Sequence, residues 1–224
     1  MNLKTLIIAA AAFFTSGVSQ AATIATWDMT GQPGDQTVMV ASNLASGLQA
    51  ATLSRGAGLN ATTGTDSFSS SGWSGSEADD YLSLSLSVAE GYLLNLDWLA
   101  IGTRASNTGP GSIGVFSSLD GFSSPLQGIA QNGGEVVASL VDLSGLGTLT
   151  GNLELRLYEL GNTQADGSGD TSAAGTFRVV NSTGGFTRFE GELQLTPVPL
   201  PASLWLFGSA LAALGMRGRS TSCG

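Results

Sequence analysis

Side chains able to do chemistry are few in this chain, and those that are missing decide as much as those present. There is no histidine. A Ser-His-Asp triad, a Cys-His pair and a histidine-ligated metal are therefore excluded, because each needs an imidazole as base or ligand. The one lysine is Lys4, inside a segment expected to be removed, so Schiff-base and Ser-Lys chemistry lack their amine. No glycine-rich loop leads from a strand into a helix, which leaves nucleotide phosphates without a cradle. Carboxylates survive this elimination. Glycoside cleavage needs two of them about 5–9 Å apart. Glu90, Asp97, Glu135, Glu154, Glu159, Glu190 and Glu192 qualify by type, but no spacing singles out a pair.

Two further chemistries remain. Asp166-Gly167-Ser168-Gly169-Asp170 places oxygen ligands at alternate positions in a glycine-rich loop, a fragment of how hard cations are held. No cofactor is expected; Asp166, Ser168 and Asp170 are the candidate ligands should a structural calcium be held, and a solvated polar turn is the favoured explanation. Glu77, Asp79 and Asp80 form a second acidic cluster. Aromatic rings stack on sugar faces. Trp73, in a Ser/Gly stretch, is the candidate for that role, whereas Trp27 and Trp98 lie in strands and are expected in the core. Arg104 and Arg156 are expected to pair with Asp120 or Asp142 as structural bridges.

The elements that must carry these groups are strands. Tyr81 to Val88 alternates so that Leu82, Leu84, Leu86 and Val88 share one face and serines the other. Asn152 to Tyr158 does the same with Leu153, Leu155 and Leu157. Near the end, Phe189, Gly191, Leu193 and Leu195 oppose Glu190, Glu192 and Gln194. One dry and one wet face is the pattern of antiparallel sandwich strands. Further strands are expected over 23–29, 48–54, 92–103, 112–118, 135–141 and 174–180, separated by glycine-rich or polar stretches. The stretch 56–79 is expected to be a surface loop. About nine strands at this spacing predict an all-β fold, an antiparallel, jelly-roll-like β-sandwich over residues 22–196.

Both ends stand apart from that domain. Residues 1–21 have a positive start, an apolar run from Leu6 to Phe14 and small residues at Ser19 and Ala21, the order of a secretory signal peptide cleaved between Ala21 and Ala22. Leu200 to Met216 carries no charge and would rise about 25 Å as a helix, the low end of a membrane span. Arg217 and Arg219 follow it and favour retention on the cytoplasmic side. All seventeen acids fall between these ends, against the five arginines 55, 104, 156, 178 and 188. Such a surface repels nucleic acid and anionic lipid. Cys223 is the only cysteine, so no intrachain disulfide can form and the core must hold the domain together.

The C-terminal order Val198-Pro199-Leu200-Pro201-Ala202, an apolar stretch and Arg217-Gly218-Arg219 resembles the PEP-CTERM sorting signal of Gram-negative bacteria. Val198, Pro199, Leu200, Pro201, Arg217 and Arg219 are the residues that match; Leu200 departs from the usual glutamate. The resemblance covers about 22 residues of a tail spanning 197–224, with a transmembrane segment expected at about 200–216. It implies an exosortase-type processing protease as partner, attachment to the membrane, and export to the cell surface or an extracellular polysaccharide matrix. Short segments of the middle also resemble jelly-roll domains found in such tailed proteins: Trp27-Asp28, Leu53 to Gly56, Arg104 to Pro110, Ser117 to Phe122, Val141 to Leu143 and Leu155 to Tyr158. The expectation is a non-enzymatic surface protein with a structural or adhesive role. A carbohydrate-binding module is the alternative, and a glycoside hydrolase the remaining one.

Overall fold

The structure is a computed structural model and describes residues 21–73, 78–182 and 184–197. Among these residues the chain forms β1 (Ala22–Trp27), β2 (Pro33–Gly34), β3 (Val38–Val40), β4 (Asn43–Leu44), β5 (Leu48–Arg55), β6 (Asn60–Ala61), β7 (Ser67–Ser71), β8 (Tyr81–Val88), β9 (Tyr92–Ala105), β10 (Ser112–Ser117), β11 (Pro125–Ala130), β12 (Val137–Asp142), β13 (Thr148–Leu149), β14 (Asn152–Glu159), β15 (Phe177–Val180) and β16 (Thr187–Leu195). Ten strands make one sheet in the order β2-β7-β15-β9-β16-β1-β4, with β12 and β13 also beside β9 and β6 beside β7. The other six make a second sheet in the order β11-β10-β14-β8-β5-β3, antiparallel throughout. In the larger sheet β2 meets β7 in parallel. The all-β sandwich expected from the sequence is present.

The leucine pattern explains the smaller sheet. β8 and β14 pair with Leu82 opposite Leu157, Leu84 opposite Leu155 and Leu86 opposite Leu153, and all six side chains are buried. Each buried leucine contributes about 1.5–3 kcal/mol through area removed from water. Against them the larger sheet turns Trp27, Phe68, Phe177 and Phe189, in one continuous apolar cluster. Two side chains tie the sheets directly. Trp27 sets its ring edge on Phe189 at 5.8 Å and donates its indole N–H across the sandwich to the Met39 carbonyl at 3.2 Å. Arg55 of β5 donates to the carbonyls of Gly34 (2.6 Å), Gln36 (2.6 Å) and Ser69 (2.9 Å from Nε) and lies 3.8 Å from the Phe68 ring centre. Its burial pushes the guanidinium pKa down to about 10.

Each of the nine expected strands is present, with ends displaced by up to three residues. Two expectations need correction. The stretch 56–79 is not only a loop, because it contains β6 and β7. Ser67, Ser69 and Ser70 are fully buried there. Such a polar segment can lie inside because its hydroxyls find partners: Ser70 donates to the Phe177 carbonyl at 3.1 Å, and Ser69 pairs with Thr62 at 2.8 Å. Trp98 is not core but 40% exposed. Along β9 the inward residues shift from Leu94 and Leu96 to Leu99 and Ile101. That change of phase, where the neighbour passes from β13 to β12, leaves Asp97 and Trp98 both off the core side.

Ala21 and Ala22 are exposed, and Ala22 opens β1 opposite Gly191. The rest of the expected signal segment and the tail from Val198 to Gly224, with Pro199, Leu200, Pro201, Arg217 and Arg219, lie outside the described residues. Among the described residues no helix is long and apolar enough to cross a membrane. With no disulfide available, truncation of the indole that joins the sheets is expected to be severe. Trp27→Ala should lower the unfolding free energy by about 3–5 kcal/mol in urea denaturation.

Candidate functional site

The alternation that buries the leucines sends their neighbours to the outer face of the six-stranded sheet. Cross-strand register then assembles them. Tyr81 lies opposite Tyr158, Ser83 opposite Arg156 and Ser85 opposite Glu154, while Phe116 of β10 flanks Arg156 on its other side. Arg156 is the hub. Its Nε donates to Glu154 at 2.7 Å and its Nη1 to the Tyr158 hydroxyl at 3.0 Å. Its guanidinium carbon lies 4.0 Å from the ring centres of both Tyr81 and Phe122, a cation–π sandwich. Tyr158 packs against Tyr81 at 5.3 Å and edge-on against Phe116 at 5.4 Å. Ser83 donates to Glu154 at 2.9 Å.

Phe122 reaches this position by a strained turn. Its φ is 59°, in the left-handed region that bulky side chains rarely enter. The turn is held by Phe122 N–H bonding the Ser117 carbonyl at 2.9 Å and by the Asp120 carboxylate, which accepts from the N–H groups of Ser123 and Ser124. Burial works against the Arg156 charge, but hydrogen bonds to Glu154 and Tyr158 outweigh it and raise the guanidinium above its ordinary pKa. Burial raises the Tyr81 phenol, with Arg156 pulling the other way.

Beside this cluster runs an open groove of about 420 Å³. Thr52, Ser85, Ser87, Ser118, Asn152 and Glu154 supply its polar lining. Hydroxyls, an amide and one carboxylate make it a surface of donors and acceptors, and Glu154, which bonds Arg156, belongs to both groove and cluster.

Of the residues singled out from sequence, Glu154 and Arg156 belong to this site, whereas the sugar-stacking and cation-ligand candidates lie elsewhere. Trp73 is fully buried, donates to the Ser70 hydroxyl at 3.2 Å and sets its edge on Phe177 at 5.4 Å. Both faces are taken up by the core, so it offers no ring to a sugar. Asp166 and Ser168 do come together, but as a turn: the Asp166 carboxylate accepts the Ser168 N–H at 2.9 Å, which with the Ser168 side-chain bond lowers its pKa. Asp170 enters through its carbonyl, which accepts from Gln164 at 2.7 Å. Among the described residues no group of three or more acids, histidines or cysteines is placed to hold a metal. In the second acidic cluster Asp80 is buried and Asp79 exposed, and Glu77 lies outside the described residues.

The expected arginine bridges are also replaced. Arg156 pairs with Glu154, its neighbour on the same face, while Asp120 and Asp142 hold turns; Asp142 accepts from the Ser144 N–H at 2.9 Å. Among the carboxylates considered for hydrolysis, Glu154 is engaged by Arg156, Glu190 by Arg188 at 2.6 Å, Glu135 by Asn132 at 2.5 Å, and the buried Glu159 by the Thr171 hydroxyl. The groove itself carries one carboxylate. The alternation of β14 already placed Glu154, Arg156 and Tyr158 on one face. What the sequence did not reveal was that Tyr81, Phe116 and Phe122 join them.

No family model and no curated protein matches the chain. Among solved structures, it is similar to a family two carbohydrate esterase from Clostridium thermocellum in complex with cellohexaose, at 15% identity and a TM-score of 0.33, over 66% of this chain and 34% of that one. It thus spans about a third of the esterase's length. It is similar to a mutant of the carbohydrate-binding module CBM29-2, at 13% identity and a TM-score of 0.35, over 70% of this chain and 92% of that one. It is likewise similar to the carbohydrate-binding module CBM36 in complex with calcium and xylotriose, at 12% identity and a TM-score of 0.33, over 71% of this chain and 100% of that one. At these TM-scores the likenesses carry no argument, and fold and site rest on this chain's own geometry.

The Tyr81 phenol reports on the cluster. Its folded pKa is raised above the ordinary 10.0, so its stabilising contribution is complete below pH 10 and is lost as pH rises through the folded value. Arg156→Gln removes a charge that favours the phenolate. It should push the Tyr81 transition still higher in a spectroscopic titration of phenolate absorbance, and an unchanged or lower transition would contradict the contact.

Proposed function

We propose that this chain is an exported, non-enzymatic surface protein whose sandwich domain binds polysaccharide on the outer face of its six-stranded sheet. The observation that carries this reading is the Arg156 cluster beside the polar groove. A sugar ring presents C–H faces that pack on aromatic rings and hydroxyls that need donors and acceptors. Tyr81, Tyr158, Phe116 and Phe122 supply the first, and Glu154, Asn152 and the groove hydroxyls the second. An open groove suits a chain passing along the sheet rather than an enclosed small molecule.

The lack of catalytic chemistry supports binding over turnover. There is no histidine, the only lysine is Lys4, and the groove offers one carboxylate where glycoside cleavage uses two. A structural or adhesive role in an extracellular matrix follows if the bound polysaccharide is part of that matrix.

The export half of the proposal rests on sequence. A leader over 1–21 and the PEP-CTERM-like tail over 197–224 support delivery through the inner membrane, retention by the apolar span and Arg217/Arg219, and handling by an exosortase-type protease near Pro199–Pro201.

Affinity electrophoresis of the full chain in gels containing neutral polysaccharides tests the binding half. Retardation by at least one neutral glycan is expected, and Tyr158→Ala should weaken it about tenfold, or ~1.4 kcal/mol. Retardation by none, or equal retardation of the variant, would remove the proposed face. Deletion of 198–224 should release the protein from the cell fraction into the medium or periplasm; equal cell association of the truncated chain would sink the role of the tail.

A further inference from the structure

The arginines of the domain divide sharply by partner. Arg156 and Arg188 are ion-paired with Glu154 and Glu190, and Arg55 is satisfied by backbone carbonyls. Arg104 of β9 and Arg178 of β15 have no ion pair among the described residues, and they are direct cross-strand partners. Like charges placed opposite one another in a sheet destabilise it. Here nothing offsets the cost: burial and the neighbouring Arg104 charge both lower the Arg178 pKa.

The two side chains share a small pocket of about 220 Å³, with Ser106, Asn107, Gly134 and Thr176 as further walls. The Arg178 guanidinium lies close against Gly64, where a Cβ would come 3.0 Å from its Cζ. That packing limits its freedom before any ligand arrives. In a chain of net charge −9, this is where two cations converge without an acid between them. Guanidinium forks match the paired oxygens of carboxylates and sulfates. The pocket holds one charged group rather than a whole oligosaccharide.

We propose that Arg104 and Arg178 form an oxyanion site, separate from the Arg156 face, that takes a carboxylate or sulfate group borne on an acidic polysaccharide. The choice of a glycan as bearer rests on the function proposed above; the oxyanion site itself does not. Binding neutralises the facing charges, so occupancy stabilises the fold by linkage.

The test uses the full chain with Arg104→Gln and Arg178→Gln, probed with polygalacturonate, dextran sulfate, inorganic sulfate and a neutral glycan. Without ligand, both variants should melt at or above the wild-type temperature, which shows that they fold. Polygalacturonate or dextran sulfate should retard the wild type in affinity gels, less so as salt rises, and each variant should lose at least about tenfold of that affinity. Retardation by polygalacturonate assigns a carboxylate, and by dextran sulfate alone a sulfate ester. Wild-type affinity in both variants, or no binding of any anion, would overturn the site. Binding of inorganic sulfate with neither polymer retained would overturn the glycan as bearer. Retention by an acidic glycan with none by neutral glycans would leave this site standing while the Arg156 face falls.

Discussion

The pairing of β8 with β14 is the constraint on which the rest of this molecule depends. Its register sets three leucine pairs on the inner side and Tyr81–Tyr158, Ser83–Arg156 and Ser85–Glu154 on the outer side. Side chains alternate with a period of two, so a one-residue slip of β14 would expose its three leucines and bury Glu154 and Arg156. The core therefore fixes the outer face: the same hydrogen-bond ladder that seals the sandwich brings Arg156 between its aromatic neighbours. With one cysteine in the chain, no crosslink shares that task.

Polar residues complete the interior rather than weaken it. Serines of β7 and the Arg55 guanidinium enter the sandwich because each finds a carbonyl or hydroxyl within hydrogen-bond distance. A buried donor left unmade costs about 1–3 kcal/mol, so these bonds are what permits a serine-rich strand between apolar neighbours. Short carboxylate turns do comparable work at the surface. Asp28, Asp142 and Asp166 each accept the N–H two residues on, at 2.9 Å. The acids of this chain thus partly serve loop geometry, and Asp166, a candidate cation ligand in sequence, caps a turn through its carboxylate.

The arginines show the opposite economy. Three are saturated by acids or carbonyls, and one of these, Arg156, is also walled by rings. Arg104 and Arg178 face each other instead. Two sheets thereby present two unlike surfaces: an aromatic and hydroxyl-rich face around Arg156, and a small pocket lined by Arg104 and Arg178.

The sequence by itself determined that the domain is a two-sheet β structure, where its main strands run, and that no histidine is among its side chains. The first two follow from local facts: period-two alternation in 81–88 and 152–158, and turn residues between strands. Tertiary structure alone decided which tryptophan is buried and which faces water, that residues 67–71 form an inner strand, and that Tyr81, Phe116, Phe122 and Arg156 meet. Alternation states which residues of one strand share a side. It does not state which strand lies alongside, where the phase shifts within β9, or what caps the far side of a ring such as Trp73. Those depend on contacts between segments far apart in sequence, as with Arg104 and Arg178, whose opposition comes from the register between β9 and β15.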